Sequence, residues 1–173
     1  MTKTLNLQKI FLDSSWEESE SIAEELILIQ GESSVDFFIE CLKSENYDTR
    51  NRAALSLKKL KSSKSVEALI EGVLYPIDPK RCGTLASALE SHDCSDHIID
   101  IFRIMFYSNY ECKMWAHNIL SEQSFSFDKR DLIEIGNMWD NCKANPSTCP
   151  SYSELYEDIQ DDVDSFLDYL DEI

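Results

Sequence analysis

The chain has 173 residues, 43% of them hydrophobic and 28% charged, with four prolines and four glycines. These values fit one globular, loop-poor domain and exclude a wholly disordered or collagen-like chain. With 33 acidic against 16 basic residues the net charge is −17; nucleic acid and anionic membrane are therefore poor partners, and a basic protein is a good one.

In chain order, Met1–Asp13 carries two lysines and no sustained apolar run, so it does not read as a secretory signal. Residues 5–12 and 17–30 make a first predicted helix pair. Val35, Phe38, Ile39 and Leu42 follow the i, i+3, i+4, i+7 spacing of a helix, and Ala53, Ala54, Leu57 and Leu60 repeat it one helix later. The pattern predicts pairs at 34–43/48–61, 65–74/79–91 and 96–107/110–121, with Asp48 as an N-cap and Pro79 at a first helical position. Lys129–Cys142 begins a final pair. Asn145–Pro150, with two prolines, then breaks the chain. Ser151 or Ser153 is placed to cap a last helix running to about Leu170.

Leu155, Tyr156, Ile159, Val163, Phe166, Leu167 and Leu170 share one face of that helix, with Tyr156 expected toward the core. Glu154, Glu157, Asp161, Asp164, Asp168 and Asp171 fall within about 100° on another. No stretch approaches the roughly 18 apolar residues of a spanning helix, and the expected compartment is the cytoplasm. Cys41, Cys82, Cys94, Cys112, Cys142 and Cys149 contain no C-x-x-C pair and read mostly as buried thiols. Cys142 and Cys149, which flank the proline loop, are the pair expected at the surface.

A 31-residue recurrence runs through the chain. Ala23, Ala54, Leu85 and Ala116 align at this spacing, as do Leu26, Leu57, Ala88 and Ile119, and Ile39, Ile70, Ile101 and Leu132. Helix pairs of this size cannot bury their apolar faces alone, and stacking them gives an α-solenoid. The run Asp48-Thr-Arg-Asn-Arg52-Ala53-Ala54-Leu-Ser-Leu57 resembles the D-x-x-x-R-x-A-A-x-x-L opening of a second helix in the HEAT-like repeat family. Asp78–Leu85 is a weaker copy, and Tyr110–Ala116 lacks the Arg. The resemblance implies an all-α, right-handed solenoid of four to five helix pairs. Residues 1–144 would form the repeats and 151–173 an acidic capping helix packed on the same domain.

Charge is concentrated at the two ends. Residues 13–40 and 152–173 each hold nine acidic residues and no Lys or Arg, while Lys43, Arg50, Arg52, Lys58, Lys59, Lys61 and Lys64 form a basic cluster between them. Acidic residues repeated at i, i+4 and at a helix C-terminus weaken their own helix. A surface serving solubility alone would mix signs, so the stripe points to binding. Glu157, Asp161, Asp164 and Asp168, with Tyr169 at the edge of the stripe, are the expected partner contacts; Glu17, Glu18, Glu24 and Glu25 come second.

Little in the chain suggests catalysis. His92-Asp93-Cys94-Ser95-Asp96-His97 matches no zinc spacing and falls at an interhelical turn. His117 reads as a satisfied core or groove residue. There is no phosphate-cradling glycine loop and no H-E-x-x-H or G-x-S-x-G motif. No enzyme activity, cofactor or metal is expected. Trp115 and Trp139 read as core; for Trp16 a core or staple position is favoured over an interface one.

A small, acidic, helical chain of this kind looks like a bacterial immunity protein or antitoxin, several of which have HEAT-like folds. That resemblance implies a monomer that blocks the active-site cleft of a basic, nuclease-type toxin. The alternative is a cytosolic adaptor binding a protein on the concave face of the solenoid.

Overall fold

The computed structural model describes residues 3–171. Ten α-helices follow one another there: α1 (Lys3–Asp13), α2 (Trp16–Gln30), α3 (Val35–Cys41), α4 (Tyr47–Leu60), α5 (Lys64–Leu74), α6 (Gly83–Leu89), α7 (Ile98–Tyr107), α8 (Tyr110–Glu122), α9 (Lys129–Ala144) and α10 (Tyr152–Leu167). Short 3-10 turns lie at Gly31–Ser34, Pro146–Thr148 and Asp168–Asp171, and no strand occurs among the described residues.

Successive helices pack as pairs: α1 with α2, α3 with α4, α5 with α6, α7 with α8 and α9 with α10. The second helices also touch in order, α2 to α4 to α6 to α8 to α10, and the first helices do so from α3 to α9. This gives two helical layers with the core between them, as in a solenoid. Buried Ala53, Ala54, Ala86, Ala88 and Ala116 allow α4, α6 and α8 to approach closely. The helix α10 is not an appendage. It takes the second place in the last pair and continues the row of second helices through α8.

Local chemistry sets the boundaries. Asn46, rather than Asp48, caps α4: its Oδ1 accepts from the backbone N–H of Asp48 at 2.9 Å and of Thr49 at 3.2 Å. A side chain one residue before the helix reaches the exposed N–H groups that Asp48, already inside it, cannot. Residues 79–82 do not join α6, which starts at Gly83; Asp78 Oδ1 instead accepts from the Lys80 N–H at 3.0 Å and turns the chain. Asp128 and Asp131 form a reciprocal capping box at α9. At the start of α10 Ser151 sits at φ 56° and makes no side-chain cap. The last helix tightens to 3-10 from Asp168, short of the expected end.

The α10 helix is held by Leu155, Ile159 and Val163, all buried. Trp139 of α9 stacks on Phe106 with ring centroids 5.8 Å apart, lies against Tyr152 and Tyr156, and donates its Nε1–H to Gln160 Oε1 at 2.8 Å. Tyr156 therefore lies over Trp139, yet it stays 37% exposed rather than entering the core. Phe166 inserts among Phe102, Phe125 and Phe127.

Candidate protein-binding surface

The two acidic segments centre on α2 and α10, at opposite ends of the row of second helices, and their electrostatics differ. On α2, Glu18 accepts from the N–H and hydroxyl of Ser15. Glu20 and Glu24 grip the Lys59 ammonium at 2.9 and 2.8 Å, and Glu25 holds Lys3 at 2.7 Å. The hydrogen bond and charge of Lys59 hold the Glu20 carboxyl below its ordinary range. Of the residues expected here, only Glu17 is without an ion pair or side-chain hydrogen bond among the described residues.

On α10 and the 3-10 turn after it the carboxylates of Glu154, Glu157, Asp158, Asp161 and Asp168 are exposed, and none has a cationic partner among the described residues. Asp164 accepts only the neutral Gln160 amide, at 2.7 Å. The helix thus presents a row of uncompensated negative charge, while its opposite face is pinned to α8 and α9. Tyr169 is exposed beside it, its ring 5.6 Å from Phe127.

Asp162 departs from this pattern. It is buried, and it accepts the 2.8 Å bond of His117 Nδ1 from α8. Burial pushes its carboxyl above the usual range despite the histidine, and Asp158 and Asp161 push the same way. Sequence spacing does not reveal this pair, because the partners are 45 residues apart.

The basic cluster is largely engaged inside the fold. Arg50 donates to the carbonyls of Ser44 and Glu45. Arg52 is buried and donates to the carbonyls of Ser14, Ser15 and Asp48 and to Thr49 Oγ1. Lys58 reaches Ser87 at 3.1 Å and lies 5.5 Å over the Trp115 ring. A groove for nucleic acid would need these charges free.

Trp16 is not a core residue: it is 49% exposed. It borders a hollow of about 390 Å³ shared with Phe11, Arg52, Leu55, Lys58 and Lys59 between α2 and α4. Trp115 is partly buried against the core and Trp139 fully buried. His92 is buried between Ser65 Oγ and the Ala88 carbonyl, both at 2.8 Å, and burial holds its pKa down. No cluster of three or more His, Cys, Asp or Glu placed to hold a metal occurs among the described residues. The surface expectation for Cys142 and Cys149 is wrong. Both side chains are buried, because the exposed proline loop between them folds both thiols inward toward Lys113.

Residues 5–90, from within α1 to the end of α6, match the family model for HEAT repeats. No curated protein and no solved structure matches the chain. No helix among the described residues is long and apolar enough to cross a membrane.

Proposed function

We propose that this HEAT-like stack of helix pairs is a protein-binding inhibitor, an immunity protein that meets a basic, nuclease-type toxin and blocks its active-site cleft. HEAT repeats generally serve protein binding, which supports the general part of this reading. The specific part rests on one observation: the exposed carboxylates of α10 have no cationic partner among the described residues. A nuclease cleft must carry Lys and Arg to hold phosphates. Carboxylates fixed on one docked helix meet such a cleft with little further ordering and steer it from a distance. Glu157, Asp161, Asp164 and Asp168, with Tyr169, are the central contacts. Glu17, Glu18, Glu24 and Glu25 are secondary, since three of these four are already engaged.

The same reading takes the solenoid as right-handed with a 31-residue repeat, and the chain as monomeric when free, cytoplasmic and without catalysis. A second reading, an adaptor binding through its concave face, is favoured by the half-exposed Trp16 beside Lys58 and Lys59.

The test is co-expression with the product of the neighbouring reading frame, followed by nuclease assay and binding kinetics at low and high salt. A basic nuclease bound one to one and silenced is expected. Combined Asp161→Lys, Asp164→Lys and Asp168→Lys should slow association by about tenfold or more at low salt. If the stable partners are neutral or acidic and these reversals change nothing, the inhibitor reading falls. The adaptor reading then predicts that Trp16→Ala removes binding.

A further inference from the structure

Lys113 of α8 has no exposed surface. Its ammonium donates to the carbonyls of Met105 and Phe106, at 2.8 and 2.9 Å, in the last turn of α7. The remaining N–H points at Cys149 Sγ, 3.3 Å away. No carboxylate among the described residues lies within ion-pairing distance of it. Burial pulls the Lys113 amine below its ordinary range, and the charge and hydrogen bond of Cys149 oppose that pull, so the sulfur is the acceptor of its third N–H. Cys142, in the last turn of α9, is the largest influence on the Cys149 thiol, and the Tyr107 hydroxyl and Cys142 influence each other in turn.

We propose that Cys149 is a peroxide-reactive thiolate held by buried Lys113, and that Cys142 resolves its oxidation into a Cys142–Cys149 disulfide. In the first step the Cys149 thiolate attacks one oxygen of hydrogen peroxide. The O–O bond breaks, hydroxide leaves and takes a proton from solvent, and a sulfenic acid remains. In the second step Cys142 sulfur attacks the Cys149 sulfur. The S–O bond breaks, the hydroxyl leaves as water with the Cys142 proton, and the S–S bond forms. Two thiol sulfurs are oxidised and one peroxide is reduced to two waters.

Three further observations agree. The Cys142 thiol and then the Lys113 ammonium bring the Cys149 thiol down to about 6, against the upward pull of burial, whereas burial drives Cys41 and Cys94 up to about 12. A cavity of about 110 Å³ between α8 and α10 reaches Lys113, whose Nζ lies 3.3 Å from Cys149 Sγ, although neither cysteine lines its wall. That is ample for a molecule little larger than water. The residues between the two cysteines, 143–148, are all exposed, so the loop can yield as the sulfurs close. Cys82 and Cys112 also lie with sulfurs 3.1 Å apart and Cys112 lowers the Cys82 thiol in the same way, but among the described residues no cation is bonded to either, so this pair separates the effect of the second sulfur from that of the lysine.

The experiment treats the reduced full chain with hydrogen peroxide at neutral pH and maps tryptic peptides. Trypsin cuts after Lys143, so the expected disulfide joins peptide 131–143 to peptide 144–173 and lowers the mass by two hydrogens. In Cys142→Ser the link should be replaced by a dimedone adduct on Cys149. In Lys113→Met the link should form about tenfold more slowly at neutral pH, since fewer thiols are ionised. Unlinked peptides from the folded wild-type chain would overturn the proposal. So would a Cys142→Ser chain without an adduct on Cys149. These two arms decide the matter even where Lys113→Met does not fold.

Discussion

Arg52 and Asp162 are both charged and buried, with opposite consequences. The Arg52 guanidinium ties the turn between α1 and α2 to α4 through the Ser14 and Ser15 carbonyls, is braced within α4 by the Asp48 carbonyl and the Thr49 hydroxyl, and lies 5.3 Å over the Phe11 ring. Arg52→Met keeps most of the stem but leaves the Ser14 carbonyl without a donor and removes the second bond to Ser15, which keeps only the Ser19 N–H. It should lower stability by about 2–4 kcal/mol, read from urea unfolding. Asp162 has its carboxyl raised by burial above the ordinary value of 3.8. The folded chain therefore binds this proton more tightly than the unfolded one, and the contribution of Asp162 to stability falls as pH rises through the interval between the two values. Asp162→Asn should raise the Tm at neutral pH, with relief of the Asp158 repulsion alone contributing about 0.2–0.5 kcal/mol. The gain should disappear in acid below the unfolded value, where both states of the wild type are protonated. Thermal melts across that range test it.

At the scale of the helix, α10 is a negatively charged surface anchored by a single aromatic assembly. Trp139→Ala removes the stacking on Phe106, the contacts with Tyr152 and Tyr156 and the bond to Gln160. It should cost about 3–5 kcal/mol, and hydrogen exchange should accelerate first in residues 152–167. Helix positions were readable in the sequence wherever one period dominated, as in α4, α5 and α7. They were misread where a side-chain bond outside the periodic run sets the edge, as at Asn46 and Asp78. Trp139 was readable as core from its large apolar side chain. Tyr156 was not placed well, because a residue on the rim of an apolar stripe both packs and stays wet. The acidic stripe was legible as charge, but its uneven neutralisation was not. Lys59 meets Glu20 and Glu24 across 35 to 39 residues of sequence, and no local pattern encodes that meeting. The thiols failed for the same reason: polarity suggested an exposed loop, while the buried Lys113 that draws Cys149 inward lies 36 residues away.

For the whole molecule, a net charge of −17 makes salt act with two signs. Screening relieves self-repulsion in the free chain, so its Tm should rise with ionic strength. The same screening should slow association with a basic partner. Calorimetry of the free chain and stopped-flow association over one salt series separate the two effects. An association rate that does not respond to salt would count against electrostatic capture.

The pairing of α9 with α10 also has a consequence for how the chain is made. Synthesis runs from the first helices to the last, and folding of the emerged part keeps pace with it. Trp139 is complete on the nascent chain well before residues 152–167 emerge to cover it. During that interval the finished pairs display an uncovered aromatic patch while lacking a segment with six acidic residues and no Lys or Arg. The ribosome-bound intermediate is therefore stickier and less acidic than the released protein, and it is the species a chaperone would meet.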